Sequence, residues 1–106
     1  MLTTKDTPVP GRNARRLPPD SHDPACQLLG VTIRTFRKRQ GLRQADLAAR
    51  TGLHRNYISQ VEHGRRNVTF LNLLRLATAL QVPPSHLLQP LDARPDLAPS
   101  PSKDML

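Results

Sequence analysis

The stretch Gln44–His63, QADLAARTGLHRNYISQVEH, decides how the rest of the chain is read. It predicts two short helices, Gln44–Arg50 and Arg55–His63, joined by a tight turn at Gly52. A turn that leaves a helix through the left-handed backbone region favours glycine, which has no Cβ to collide there. Where two helices cross steeply, a small side chain is needed at the closest approach, and Ala48 supplies one. Leu47, Leu53, Ile58 and Val61 then fall on the inward side and fix the crossing. The outer face of the second helix keeps His54, Arg55, Asn56, Tyr57, Ser59, Gln60 and His63. Arg pairs bidentately with guanine O6 and N7, and Asn and Gln pair with adenine N6 and N7. Arg55, Asn56 and Gln60 are therefore the candidates for direct base contact. Gln44, at the start of the first of these helices, is a fourth, placed to brace both backbone and recognition helix.

Working outward, the absence of proline from Ala25 to Val82 marks the folded segment. Five of the eleven prolines lie before it, within residues 1–25, among polar residues with no apolar period. That segment reads as a disordered arm, with Arg12, Arg15 and Arg16 as basic residues that can touch DNA. Residues 26–91 read as the domain and residues 92–106 as a disordered tail. A first helix is expected over Cys26–Arg39, with Leu29, Ile33 and Phe36 at helical spacing and Gln40–Gly41 as its stop. Thr69 is a plausible N-cap for a helix over Phe70–Gln81, whose apolar stripe reads Phe70, Leu73, Leu74, Ala77 and Leu80, with Leu76 at its edge. Pro83 and Pro84 end it and open a short last helix at Pro84–Gln89. Leu87, Leu88 and Leu91 are more apolar surface than so short a helix is expected to bury alone.

Composition narrows the function. A chain of 106 residues holds one small domain at most, and with one Tyr, two Phe and no Trp its core must be aliphatic. The single Cys26 excludes an intrachain disulfide, and the four His show no liganding pattern, so no metal or other cofactor is expected. No apolar run reaches membrane-spanning length and the N-terminus is unlike a signal peptide, so a cytoplasmic protein is the default. The net charge of +8 is concentrated: residues 26–91 carry ten basic and two acidic groups, while the flanks hold six of each sign and cancel. A basic segment that coincides with the helical pattern suits a polyanion. Acids are scarce, Cys26 has no evident base partner and there is no Gly-rich phosphate loop, so an enzyme is not expected.

These residues also carry a family resemblance. The run from Leu29 to Leu88, and within it IRTFRKRQGLRQADLAARTGLHRNYISQVEHGRRNVTFLNLLRLATALQV, resembles the DNA-binding domain of phage Cro and repressor proteins. GLHRNYIS followed by HGRRNVTF is most similar in wording to the small controller proteins of restriction-modification systems. The resemblance implies an all-α, compact five-helix lambda-repressor-like domain. It implies sequence-specific binding to double-stranded DNA by a homodimer joined through Leu80–Leu91, acting on a two-fold operator to regulate transcription. The loop Arg65-Arg66-Asn67 is expected beside the DNA backbone, with Arg43 and Tyr57 as further phosphate candidates. A late Arg of the first helix pairs in that family with a Glu closing the recognition helix, and Arg37 and Glu62 match by position. Arg43 departs from the pattern, standing where a small polar cap is usual. The competing reading is an antitoxin or other protein-interaction module built on the same domain, with the tails as partner-binding segments.

Overall fold

The computed structural model describes residues 22–101. Among them are five α-helices, α1 Pro24–Arg39, α2 Gln44–Thr51, α3 Arg55–Glu62, α4 Phe70–Leu80 and α5 Pro84–Asp92, then a 3-10 turn at Pro95–Leu97 and no strand. The expected Arg12, Arg15 and Arg16 contacts of the N-terminal arm lie outside the described residues.

Each boundary has a local cause. The α1 helix opens two residues before the expected Cys26, because Asp23 caps it: its Oδ1 accepts the Ala25 amide at 2.8 Å, and Pro24 follows at a position where its missing N–H costs nothing. At the other end Gly41 takes φ +70°, and the amides of Gly41 and Leu42 reach back to the carbonyls of Lys38 and Arg37. Gly52 ends α2 at φ +76°. Gly64, at φ +74°, closes α3 by the same double return, its own amide on Val61 and that of Arg65 on Gln60. Thr69 Oγ1 accepts the Asn72 amide at 3.2 Å to start α4. A non-glycine residue, Gln81 at φ 58°, ends α4 and so falls just outside it. The last helix runs three residues past Gln89 to Asp92, although Pro90 removes one donor from its interior.

The core is aliphatic: Ile33, Leu47, Ile58, Val61, Leu73, Leu76, Ala77, Ala79, Leu80 and Leu87 are buried, with Leu29, Phe36, Leu42, Ala48, Leu53 and Tyr57 packed around them. Helix α1 packs on α3 and α5, and α2 packs on α3 and α4. Two expectations about this core are corrected. Phe70 is not in the α4 stripe: it is 70% exposed, whereas Leu76, expected at the edge, is fully buried. The α4 axis is thus rotated so that the Leu73–Leu76–Ala77–Leu80 face meets the other helices. Leu87 is likewise fully buried within this chain rather than left over on a short helix; Leu88 remains 40% exposed.

The tightest constraint on how α1 lies against α3 is Gly30. A Cβ built there would stand 2.3 Å from the Val61 carbonyl oxygen and 2.7 Å from that of Glu62. Only a glycine lets the two backbones approach this closely. The crossing of α1 and α3 is therefore set by a residue outside the helix-turn-helix itself.

Candidate nucleic-acid interface

Helix α3 divides its residues by face. Ile58, Val61 and Glu62 are buried, Tyr57, Ser59 and Gln60 are half-buried, and Arg55, Asn56 and the following His63 are exposed. The 3.6-residue period sets 58, 61 and 62 on one side and 56 and 63 on another; Arg55, in line with 58 and 62, is exposed because it opens the helix. His54 makes no side-chain cap, so the first amides of α3 are left at an exposed helix start beside Arg55.

That start is not isolated. Arg37, Arg43, Gln44, Ala45 and Arg55 line one shallow depression where the N-terminal ends of α2 and α3 meet. The three of these singled out from the sequence as DNA contacts, Arg43, Gln44 and Arg55, are thus brought together. Two of them have partners within the chain. Arg43 donates from Nε and NH2 to the Asp46 carboxylate at 3.2 and 3.1 Å, and Asp46 Oδ2 also accepts the Arg43 amide at 2.8 Å. Asp46 therefore supplies the reciprocal half of a capping box by taking the N-cap amide, whereas the Arg43 side chain has donors only and cannot accept a first-turn amide. The Arg43 guanidinium hydrogen-bonded to Asp46 holds its carboxyl below the ordinary carboxylate range, and Arg43 stays largely exposed. Sequence reading missed this role, although an Asp three residues past a helix start is its visible signal.

Behind the depression lies a buried ionic junction. Arg37 Nε donates to Glu62 Oε2 at 2.6 Å and NH2 donates to Oε1 at 2.9 Å, a bidentate pair in which Glu62 is 1% exposed. Arg37 NH1 donates to the Leu42 carbonyl at 2.7 Å, and Gln44 Nε2 donates to Glu62 Oε1 at 3.1 Å. The hydrogen bond to Glu62 raises the Arg37 pKa against the opposing effect of burial. One carboxylate thereby ties α1, α2 and α3 together and fixes the angle at which α3 is presented. Gln44, considered as a base contact, has its amide nitrogen committed inward.

The second half of the face lies beyond α3. Gln60 Oε1 accepts from Arg66 Nε at 2.6 Å, and the Arg66 guanidinium lies 5.8 Å from the Tyr57 ring centroid. The Tyr57 hydroxyl accepts from Asn72 Nδ2 at 3.1 Å, and Asn72 Oδ1 accepts from Arg75 NH1 at 2.7 Å. Tyr57 is accordingly half-buried, with its hydroxyl turned toward α4. Arg65, Arg66 and Asn67 are all exposed. Among the described residues the acids of this face are Asp46 and Glu62, each already paired with an arginine. No group of three or more His, Cys, Asp or Glu is placed to hold a metal, and no helix is long and apolar enough to cross a membrane, among the described residues.

Comparison with known proteins agrees with this geometry. The family profile described as Helix-turn-helix matches residues 33–87. The HTH-type transcriptional regulator y4dJ of Sinorhizobium fredii is 39% identical over 69 residues, covering 65% of this chain and 90% of that one. The crystal structure of the restriction-modification controller protein C.AhdI from Aeromonas hydrophila is 44% identical, with a TM-score of 0.58 over 58% of this chain and 94% of the other. The controller C.Esp1396I, solved as a tetramer in complex with its natural 35 base-pair operator, is 29% identical with a TM-score of 0.59, covering 65% and 91%. These relatives are regulators and controller proteins rather than enzymes. An Ala48–Gly52 turn between two short helices, an exposed α3 carrying Arg55 and Asn56, and these likenesses lead to one conclusion: the chain belongs to the helix-turn-helix family of transcriptional regulators.

Proposed function

We propose that the protein binds a specific double-stranded DNA operator as a homodimer and regulates transcription by occupying it. Helix α3 enters the major groove with Arg55 and Asn56 at its leading end and Gln60 one turn later. Arg43, Arg65 and Asn67 contact phosphates around it, and the exposed Arg34, Lys38 and Arg39 of α1 add attraction at longer range. Tyr57 reaches a phosphate only past its hydrogen bond with Asn72, so its first duty is to support the helix. The observation that carries this reading is the depression shared by Arg43, Gln44 and Arg55, which places a cation and the open start of α3 at one exposed edge of a domain of net positive charge. The operator complex of the similar C.Esp1396I supports the same assignment.

The dimer contact is assigned to α5 with the adjoining end of α4. Within Leu80–Leu91, Leu80 and Leu87 are spent on the subunit's own core, so Leu88 and Leu91 are the residues available to a second copy. Two α3 helices related by a two-fold axis would then read half-sites about one helical turn, roughly 34–36 Å, apart.

The test is a fluorescence-anisotropy titration with DNA from upstream of the protein's own gene against a scrambled duplex, at low and physiological salt. A preference of roughly a thousandfold that persists at the higher salt is expected. Equal binding of both duplexes that disappears with salt would reduce the interface to a basic surface.

A further inference from the structure

In the structure Gln60 is not a free reader. Its Oε1 accepts a hydrogen bond of 2.6 Å from Arg66 Nε. A guanidinium carries donors only, so the orientation of the amide is fixed by chemistry: oxygen toward Arg66, NH2 away from it. Arg66 is itself held in place. It lies over the Tyr57 ring, and the Tyr57 hydroxyl is anchored to Asn72 of α4 at 3.1 Å. The Gln60 amide is thus oriented by a relay that begins outside the helix-turn-helix.

The consequence concerns which base that amide can read. A glutamine reads adenine by giving N–H to N7 and accepting from N6–H2, which requires an oxygen lone pair. Here one lone pair is taken by a cation. The same cation polarises the amide, making its N–H groups stronger donors and its remaining lone pair a weaker acceptor. Guanine presents two acceptors, O6 and N7, and needs donors alone. Adenine turns its N6–H2 donor toward a positive group. We infer that Arg66 is a specificity-determining residue, acting through Gln60 to make it a reader of guanine rather than adenine. The inference rests on the assignment of α3 to the major groove, and it gives Arg66 a role that an ordinary phosphate contact does not have.

The experiment selects preferred duplexes from a randomised pool with the full-length wild type, Gln60→Ala and Arg66→Ala, and then measures affinities for the four bases at each position. Gln60→Ala identifies its position as the one whose preference collapses. The wild type is expected to favour guanine over adenine there by about tenfold, the discrimination of one good contact. In Arg66→Ala the freed amide should favour adenine at that position and leave the other positions unchanged. Arg66 is exposed, so circular dichroism should show an intact fold in this variant. A wild type that prefers adenine at the Gln60 position overturns the inference. So does an Arg66→Ala profile that keeps guanine while affinity falls evenly on all duplexes, as does a Gln60→Ala variant with every preference intact. A wild type with no base preference at any position removes the major-groove assignment itself, an outcome distinct from the other three.

Discussion

Replacing Gly30 by alanine sets two effects of opposite sign against each other. In an ordinary helix interior Gly→Ala stabilises by about 1 kcal/mol, because alanine loses less backbone entropy and shields the helix better. At Gly30 the added methyl would lie 2.3 Å from the Val61 carbonyl oxygen, 2.7 Å from that of Glu62 and 2.9 Å from the Glu62 carbonyl carbon. All three are backbone atoms of the α3 C-terminus, so no side chain can rotate aside. Restoring an ordinary contact requires α1 and α3 to separate by about 1 Å, which forfeits roughly a quarter to a half of the dispersion energy of each atom pair along their interface. Overpacking of this kind costs about 1–3 kcal/mol even where side chains can yield. With rigid backbone opposite, the upper end applies, leaving a net loss of about 2 kcal/mol. For a domain of this size that lowers Tm by roughly 10 °C. Urea denaturation and thermal melting of Gly30→Ala should show it, with exposed Thr35→Ala, expected to stabilise by about 0.5 kcal/mol, as the control for propensity. The same separation would splay the Arg37–Glu62 pair, so binding of the preferred duplex should weaken as well. A Gly30→Ala protein more stable than the wild type by about 1 kcal/mol would refute the close approach on which this reasoning rests.

Three further outcomes are expected. Glu62→Gln leaves the Arg37 cation buried without a carboxylate and should cost about 3 kcal/mol or more in denaturant melts; replacing both residues by apolar ones should recover much of that loss. Asp46 has its carboxyl pKa lowered in the folded state, chiefly by its hydrogen bond from the Arg43 side chain, so its contribution to stability is present above the unfolded value near 4 and is lost as pH falls through the depressed one. Carbon-detected NMR titration should place its midpoint below those of Asp residues in unstructured peptides, and Asp46→Asn should flatten the stability profile in that acid range; an ordinary midpoint would remove the cap. Arg55→Ala should reduce affinity mainly for the preferred duplex, whereas Arg65→Ala should weaken preferred and random DNA alike and lower the salt slope by about 0.9; equal effects of both on random DNA would end that division of roles.

Much of this molecule was legible along the chain. The helix-turn-helix, its glycine stops and the aliphatic core follow from local rules: a 3.6-residue apolar period, glycine where φ must be positive, proline where a helix cannot continue. Local rules reached less far at the edges. The period in Phe70–Leu80 permits more than one buried face, and Leu76 rather than Phe70 enters the core because the orientation of α4 is set by what α1, α2 and α5 leave open to it. Leu87 reads as surplus on so short a helix, but the packing of α5 against α1 and α4 leaves it fully buried. The apolar period starts α1 at Cys26, but the helix opens at Pro24 because Asp23 caps it where the chain turns. The proline-bounded reading ends the last helix at Gln89, whereas α5 runs to Asp92 and a 3-10 turn follows at Pro95–Leu97.

By itself the sequence determined where the helices lie, that Gly41, Gly52 and Gly64 stop the first three of them, and that Ile58 and Val61 face inward while Asn56 faces out. These are matters of nearest neighbours and helical period, which act within about a turn of chain. Only the tertiary structure decided how those helices meet: the Gly30 contact that sets α1 against α3, the Glu62 carboxylate that binds Arg37 and Gln44 at once, and the Arg66 guanidinium that turns the Gln60 amide. The first two depend on residues far apart in sequence arriving within a few ångströms, and the third joins residues on either side of the turn at Gly64. No periodicity encodes such a distance, because it is fixed by the simultaneous packing of all five helices.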